Sequence, residues 1–146
     1  MSWIALSPDN IKGRLAKYEL EAYVDAGRQI EDGVDTLFEI ILQVTAMVRG
    51  SVASAPDNLP KIGPAGTIPG ECLFAACTIA RDALVGSLPI SEGATEVRKE
   101  ELRRAHDFLT AVAAGRVRIE DASGSIPEAA ASESSTSFGG SQLLDF

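Results

Sequence analysis

Residues 35–54 read DTLFEIILQVTAMVRGSVAS, and this stretch decides the class of the fold. Its apolar side chains recur mostly at steps of three and four, the spacing of one face of an α-helix. They are Leu37, Ile40, Ile41, Val44, Met47, Val48 and Val52. Phe38 and Leu42 lie outside this stripe. The stretch therefore predicts a long central helix that meets partners on more than one side, either within its own core or on neighbouring subunits.

Two shorter helices are predicted before the central one. Ser7, Pro8 and Asp9 have the character of a helix start, because serine caps the helix, proline presets its first turn and aspartate complements its positive end. This start predicts a helix over residues 8–15. A second helix is predicted over residues 16–28, where Tyr18, Leu20, Tyr23 and Val24 alternate with Lys17, Glu19, Glu21 and Asp25.

Two further helices are predicted after residues 55–68, a segment whose three prolines and two glycines indicate a loop. Pro69 is predicted to open the first of them, which Pro89 stops near Leu88. Its many alanines let another helix approach closely.

The last helix is predicted over residues 94–114, with Gly115 as its C-cap. We expect an inward face of Val97, Leu102, Ala105, Leu109, Val112 and Ala113, and outward charges on Arg98, Lys99, Glu100, Arg103 and Arg104. These basic residues could form a phosphate-binding patch. Interleaved glutamates at helix-pair spacing favour a solvated face instead.

Residues 116–146 are rich in serine, alanine, glycine and acidic residues, so they cannot build a core of their own. The sequence thus predicts an all-α fold, a small bundle of about four to five helices over residues 1–115, with an extended or disordered tail over residues 116–146. Apolar residues return near the end of that tail. They are Phe138, Leu143, Leu144 and Phe146. We predict that they form an interface only in the assembly, by docking in a groove or adding to a sheet edge of a neighbouring subunit.

The composition excludes several classes of protein. A length of 146 residues fits one compact domain with an appendage, since single domains take about 100 to 150 residues. The 21 acidic residues exceed the 13 basic ones and give a net charge of -8, which opposes nonspecific binding to nucleic acid. No positive residue precedes the short apolar run at residues 1–6, and no apolar run reaches the roughly 18 residues of a membrane span. We therefore expect a cytoplasm-like compartment without a signal peptide or a membrane anchor.

No catalytic, cofactor-binding or metal-ligating set is predicted. His106 is the single histidine, and Asp107 beside it points about 100° away on a helix, so the two do not face one another as a base and its orienting acid. Cys72 and Cys77 point about 140° apart on a helix and are interpreted as buried hydrophobic residues. The glycines of residues 63–70 lack the spacing of a nucleotide loop. The sequence favours a non-enzymatic protein without cofactors.

Trp3 is the one tryptophan and precedes the first helix. It can lie on its own domain as an N-terminal strap, or insert into a neighbouring subunit as an interface anchor, a role in which tryptophan is enriched. The sequence leaves both alternatives open.

Several short motifs, in a particular order, resemble the Mu-like head-to-tail joining proteins of bacteriophages. The resemblance covers residues 1 to about 120. It rests on Ser2-Trp3-Ile4-Ala5-Leu6, Arg14-Leu15, Glu19-Leu20, Gln43-Val44, Val48-Arg49-Gly50, Gly66-Thr67-Ile68-Pro69, Leu88-Pro89, Arg98-Lys99-Glu100-Glu101 and Val112-Ala113-Ala114-Gly115.

The resemblance implies a helical adaptor of the phage neck, assembled in the host cytoplasm and present in the virion. It implies a homo-oligomeric ring, dodecameric as in similar adaptors, between the portal protein and the tail-side neck or tail-completion proteins. DNA would pass through its channel without sequence-specific binding, and no enzymatic activity is implied. The alternative function is a small cytoplasmic helical protein-binding module with a disordered, partner-recruiting tail.

Overall fold

The computed structural model describes residues 3–28, 36–88 and 96–120. Within these ranges the chain forms helices and one small antiparallel sheet, which confirms the predicted all-α class. The elements in chain order are β1 (Trp3–Ala5), α1 (Pro8–Lys12), α2 (Lys17–Arg28), α3 (Thr36–Ala53), a 3₁₀ helix (Pro56–Lys61), β2 (Thr67–Pro69), a 3₁₀ turn (Gly70–Cys72), α4 (Leu73–Ser87) and α5 (Glu96–Ala113).

Helices α3, α4 and α5 pack against one another and enclose the core. The central helix α3 forms where it was predicted, although it is rich in β-branched residues. Each buried leucine or isoleucine contributes about 1.5 to 3 kcal/mol, whereas the poor helix propensity of a β-branched residue costs less than about 0.7 kcal/mol. Burial therefore decides the conformation. The buried residues of α3 are Leu37, Ile40, Ile41, Val44, Thr45, Val48 and Val52.

Helix α3 is also long and apolar enough to cross a membrane, judged by length and composition alone. The core helix of a soluble protein meets the same criterion. Here one face of α3 packs against α4 and α5 in the core.

Residues 55–68, predicted as a loop, contain the 3₁₀ helix and most of β2. Strand β2 pairs antiparallel with β1, with Trp3 opposite Pro69 and Ile4 opposite Ile68. Pro69 therefore ends a strand and does not open a helix, and α4 begins at Leu73 after the 3₁₀ turn. The sequence prediction was wrong here because a two-strand pairing between segments about 60 residues apart leaves no local periodicity.

The helix ends agree better with the sequence than the loop and strands do, because they follow local capping chemistry. Asn10 Oδ1 accepts hydrogen bonds from the backbone N–H and the hydroxyl of Ser7, both at 2.9 Å, at the start of α1. Helix α1 ends at Lys12, earlier than the predicted residue 15. At the C-terminus of α5, Gly115 has a φ of 79°, and the Arg116 N–H donates to the Ala111 carbonyl at 2.9 Å. This is the Schellman arrangement that the C-cap glycine predicts.

Three predicted orientations are wrong. Val97 and Met47, expected to face inward, are exposed, because no other described element covers those faces of α5 and α3. Arg98, expected to point outward, is only 24% exposed, because it reaches the buried carboxylate of Glu19.

Residues 116–120, assigned to the tail by composition, lie against the helical domain. Ile119 is almost fully buried in the core cluster. The carbonyl of Glu120 accepts a hydrogen bond from Trp3 Nε1 at 3.1 Å, and its N–H donates to Glu71 Oε2 at 2.8 Å. The chain is thus fixed to the domain up to residue 120.

Candidate interaction surfaces

The N-terminal strap is built around Trp3, Arg49 and Gly63. The guanidinium of Arg49 donates to three backbone carbonyls, those of Pro64 (2.9 Å), Thr67 (2.7 Å) and Gly63 (3.2 Å). It also lies 5.5 Å from the centre of the Trp3 ring, within cation–π distance. A Cβ atom on Gly63 would come within 2.7 Å of that ring. One arginine therefore ties the N-terminal strand, the loop and α3 together.

Of the two alternatives left open for Trp3, the structure favours packing on its own domain. The side chain is 9% exposed and belongs to the core cluster, so it acts as a strap on its own domain. Phe138, Leu143, Leu144 and Phe146 lie outside the described residues. The structure thus brings together Trp3, Arg49 and Thr67 from three separate segments of the sequence, which the sequence did not indicate.

Helix α2 is attached to the domain mainly by polar contacts. Glu19 is 1% exposed and accepts hydrogen bonds from Arg98 of α5, with Nη2 at 2.9 Å from Oε1 and Nη1 bonded to Oε2. It also accepts the N–H of Ala16 at 2.8 Å, which caps the start of α2. These bonds, those from Arg98 above all, hold the pKa of the Glu19 carboxyl below its usual range.

Tyr23 of α2 packs against the core, but three other large apolar side chains of this helix remain exposed in the described part of the chain. Tyr18, Leu20 and Val24 are exposed, whereas the charged Glu19 is buried. Sequence alternation indicated an amphipathic helix but did not indicate that its acidic residue faces the domain. We call Leu20 and Val24, one turn apart on α2, the α2 patch.

Helix α3 exposes a second apolar surface beside its buried face. Phe38 is 58% exposed and Leu42 is 54% exposed, and at a spacing of four residues they lie one turn apart. We call these two residues the α3 patch. Phe38 and Leu42 were expected to meet partners either within their own core or on neighbouring subunits. In the described structure both side chains face out of the core.

A cleft of about 320 Å³ lies between α4 and α5. The nearly buried side chains of Ala75 and Ala105 form its base, and its other lining residues are Glu71, Phe74, Arg104 and Phe108. Phe74 is 60% exposed, and the guanidinium carbon of Arg14 lies 4.7 Å from the centre of its ring. We call this the Phe74 cleft.

The charged residues of α5 pair mainly with one another. Arg103 bonds to Glu100 and, at 2.7 Å, to Asp107, while Arg104 lies 3.1 Å from Glu100. Such exposed pairs at helix spacing neutralise much of the positive charge. This arrangement fits the solvated face and not a phosphate-binding patch.

The chemistry-bearing residues do not converge in the described part of the chain. His106 is exposed, and no group of three or more histidine, cysteine or acidic residues there could hold a metal ion. Cys72 and Cys77 are buried free thiols. Burial raises the pKa of the Cys72 thiol to about 12 and also raises that of Cys77, so both sulfurs are poor nucleophiles.

In comparisons with known proteins, no family model, no curated protein and no solved structure matches the chain.

Proposed function

We propose that this chain is a non-enzymatic structural subunit that assembles with copies of itself into a ring in the neck of a bacteriophage. The ring would join the portal and capsid vertex to the tail-side neck proteins and leave a channel for DNA. The observation that carries the proposal is the α3 patch, two large apolar side chains on the outer face of the helix that also builds the core.

An exposed apolar surface of this kind is typical of a site for another protein. Its location matters as much as its composition. The adjoining face of α3 packs against α4 and α5, so a contact on Phe38 and Leu42 would hold the whole subunit rigidly. A structural assembly needs such rigidity, whereas a contact through a loose segment leaves neighbouring subunits free to tilt.

A closed ring of more than two subunits requires two different surfaces on each subunit, since one surface of each copy meets the other surface of the next. This chain offers two apolar surfaces on different helices, the α3 patch and the α2 patch. Their presence supports a head-to-tail ring contact between copies.

The charge of the chain supports a conduit for DNA. With a net charge of -8, the free surface repels phosphate on average, so DNA would pass without being retained. The order of the motifs that resemble phage joining proteins supports the neck as the place of assembly. Portal and capsid genes beside the gene for this chain would support it further.

The test compares the purified full chain with two variants by native mass spectrometry and electron microscopy. We expect the wild type to form closed rings of a single stoichiometry at high concentration. The double variant Phe38→Ser/Leu42→Ser should remain monomeric with an unchanged circular dichroism spectrum. Phe74→Ser is the matched control, because Phe74 is as exposed as Phe38 but lies in the cleft, and it should assemble normally.

Equal assembly of the double variant and the wild type would show that the α3 patch is not the subunit contact. A wild-type chain that stays monomeric at high concentration, alone and with a portal protein, would overturn the ring. That result would favour the alternative, a small helical protein-binding module.

A further inference from the structure

We propose that the Phe74 cleft is the docking site for residues 138–146 of the same chain. The sequence alone placed these residues on a neighbouring subunit, but the structure describes a suitable site beside the point where the chain leaves the domain. This contact would form in the isolated chain and does not depend on the assembly of a ring.

The position of Glu120 is the first observation. Its N–H donates to Glu71 Oε2 at 2.8 Å, and Glu71 lines the cleft. The remaining residues therefore start at the edge of the cleft. The 17 residues 121–137 can span at most about 60 Å when extended, several times the distance needed to return to the same cleft.

The shape and polarity of the cleft are the second observation. Its alanine base and its two phenylalanines offer an apolar surface, and a volume of about 320 Å³ is at the low end for a ligand pocket. It can therefore hold about two large apolar side chains rather than a folded domain. Residues 138–146 carry four such side chains among glycine, serine, glutamine and aspartate, which suits a short peptide with a few anchors.

The polar groups around the cleft are the third observation. Among the described residues Glu71 Oε1 is buried without a hydrogen-bond partner, and a buried acceptor without a donor is unfavourable. A docked segment can supply a donor from its backbone or from Ser141 or Gln142. Arg14 lies beside Phe74 and Arg104 lines the cleft, so both can attract the carboxylate of Asp145.

The same chain is favoured over a second copy by concentration. A short connection keeps an attached segment at a local concentration in the millimolar range, far above that of a second copy in dilute solution. A weak apolar contact of two side chains is therefore populated within one chain before it is populated between chains.

The test places a nitroxide spin label at position 140 through the variant Gly140→Cys of the full chain. Cys72 and Cys77 are buried and have raised thiol pKa values, so they should resist the labelling reagent. In ¹⁵N-labelled protein we expect the amide signals of Ala75, Ala105 and Phe108 to lose most of their intensity relative to a diamagnetic label. Amides of the α3 patch should keep theirs.

Two substitutions on the labelled chain provide the matched control. Phe74→Ser removes an exposed wall of the cleft and should restore the lost signals. Phe38→Ser replaces the same type of residue at nearly the same exposure and should leave them lost. Circular dichroism of both variants checks that the helices remain.

A mixed sample distinguishes docking within one chain from docking between two chains. It contains spin-labelled chains without ¹⁵N and ¹⁵N-labelled chains without a spin label. Docking within one chain predicts no signal loss in the mixture. Signal loss there equal to that in the single sample would assign the occupant to a second copy and overturn the proposal. Unchanged cleft signals in both samples would equally overturn it, whether or not the chain forms rings.

Discussion

Helices α4 and α2 have similar lengths but are held in place in different ways. Helix α4 buries seven of its residues between α3 and α5, with small side chains that allow close approach. Helix α2 buries the charged Glu19 and exposes Leu20 and Val24. Helix α4 is therefore placed by apolar burial, whereas α2 is held by the Glu19–Arg98 ion pair and the packing of Tyr23, and its exposed Leu20 and Val24 are available to partners.

The largest effect is expected from Leu84→Ala in α4. Leu84 is fully buried, and truncating a buried leucine to alanine costs about 2 to 5 kcal/mol through lost transfer energy and the remaining cavity. Urea unfolding followed by circular dichroism should show this loss as a lower midpoint. Leu20→Ala in the α2 patch is the control and should change stability by less than about 0.5 kcal/mol. Equal losses in the two variants would remove the distinction between the helices.

The next largest effect is expected in the N-terminal strap. It is held partly by aromatic burial, like α4, and partly by polar contacts, like α2. A Cβ atom introduced by Gly63→Ala would lie 2.7 Å from Trp3 Cδ2, and overpacking of this kind costs about 1 to 3 kcal/mol. The emission of Trp3, the one tryptophan, should shift as its ring moves.

Gly50→Ala is the matched control for this substitution. Gly50 lies within α3, and its Cβ atom would meet nothing within 4 Å. The variant should be stabilised by about 0.5 to 1 kcal/mol, because alanine favours a helix over glycine. Stabilisation by both substitutions would show that the ring of Trp3 moves away at no cost.

A smaller and local effect is expected from Glu19→Gln. The variant removes the charge that Arg98 binds, and we expect the attachment of α2 to lose about 2 kcal/mol of stability. Breaking a fully buried pair costs roughly 3 to 5 kcal/mol, but Arg98 keeps some exposure to solvent. Hydrogen exchange should show faster exchange of α2 amides with little change in α4. Glu21→Gln, an exposed residue of the same helix, should leave both unchanged. Equal acceleration in α2 and α4 would mean that the two helices unfold together.

The mildest perturbation is a fall in pH. The pKa of Glu19 is lowered in the folded chain, so the charged carboxylate is the form that stabilises the attachment of α2. This contribution is fully present above the ordinary value of about 4.5 and is lost as the pH falls below it through the lowered folded pKa. Hydrogen exchange between pH 6 and pH 3, corrected for intrinsic rates, should show α2 losing protection before α4. The Glu19→Gln chain should lack this transition, and persistence of the transition there would assign it to another group.

Much of the helical part of this fold was predictable from local chemistry. The stripe of α3, the start of α1 at Ser7 and the C-cap at Gly115 all depend on residues within a few positions of one another. The interaction surfaces were predictable only in part. Phe38 and Leu42 were indicated by their place outside the α3 stripe, whereas the Phe74 cleft left no signal because α4 and α5 contribute its lining together.

The sequence by itself determined which segments form the five described α-helices, since helix periodicity and capping are properties of neighbouring residues. The tertiary structure alone decided that β1 pairs with β2, that Glu19 is buried against Arg98, and that Arg49 joins Trp3 to the loop at Gly63. It also placed Glu120 beside Glu71. Each of these contacts joins residues far apart in the chain, and its free energy depends on which other groups exclude water around it, which no local pattern encodes.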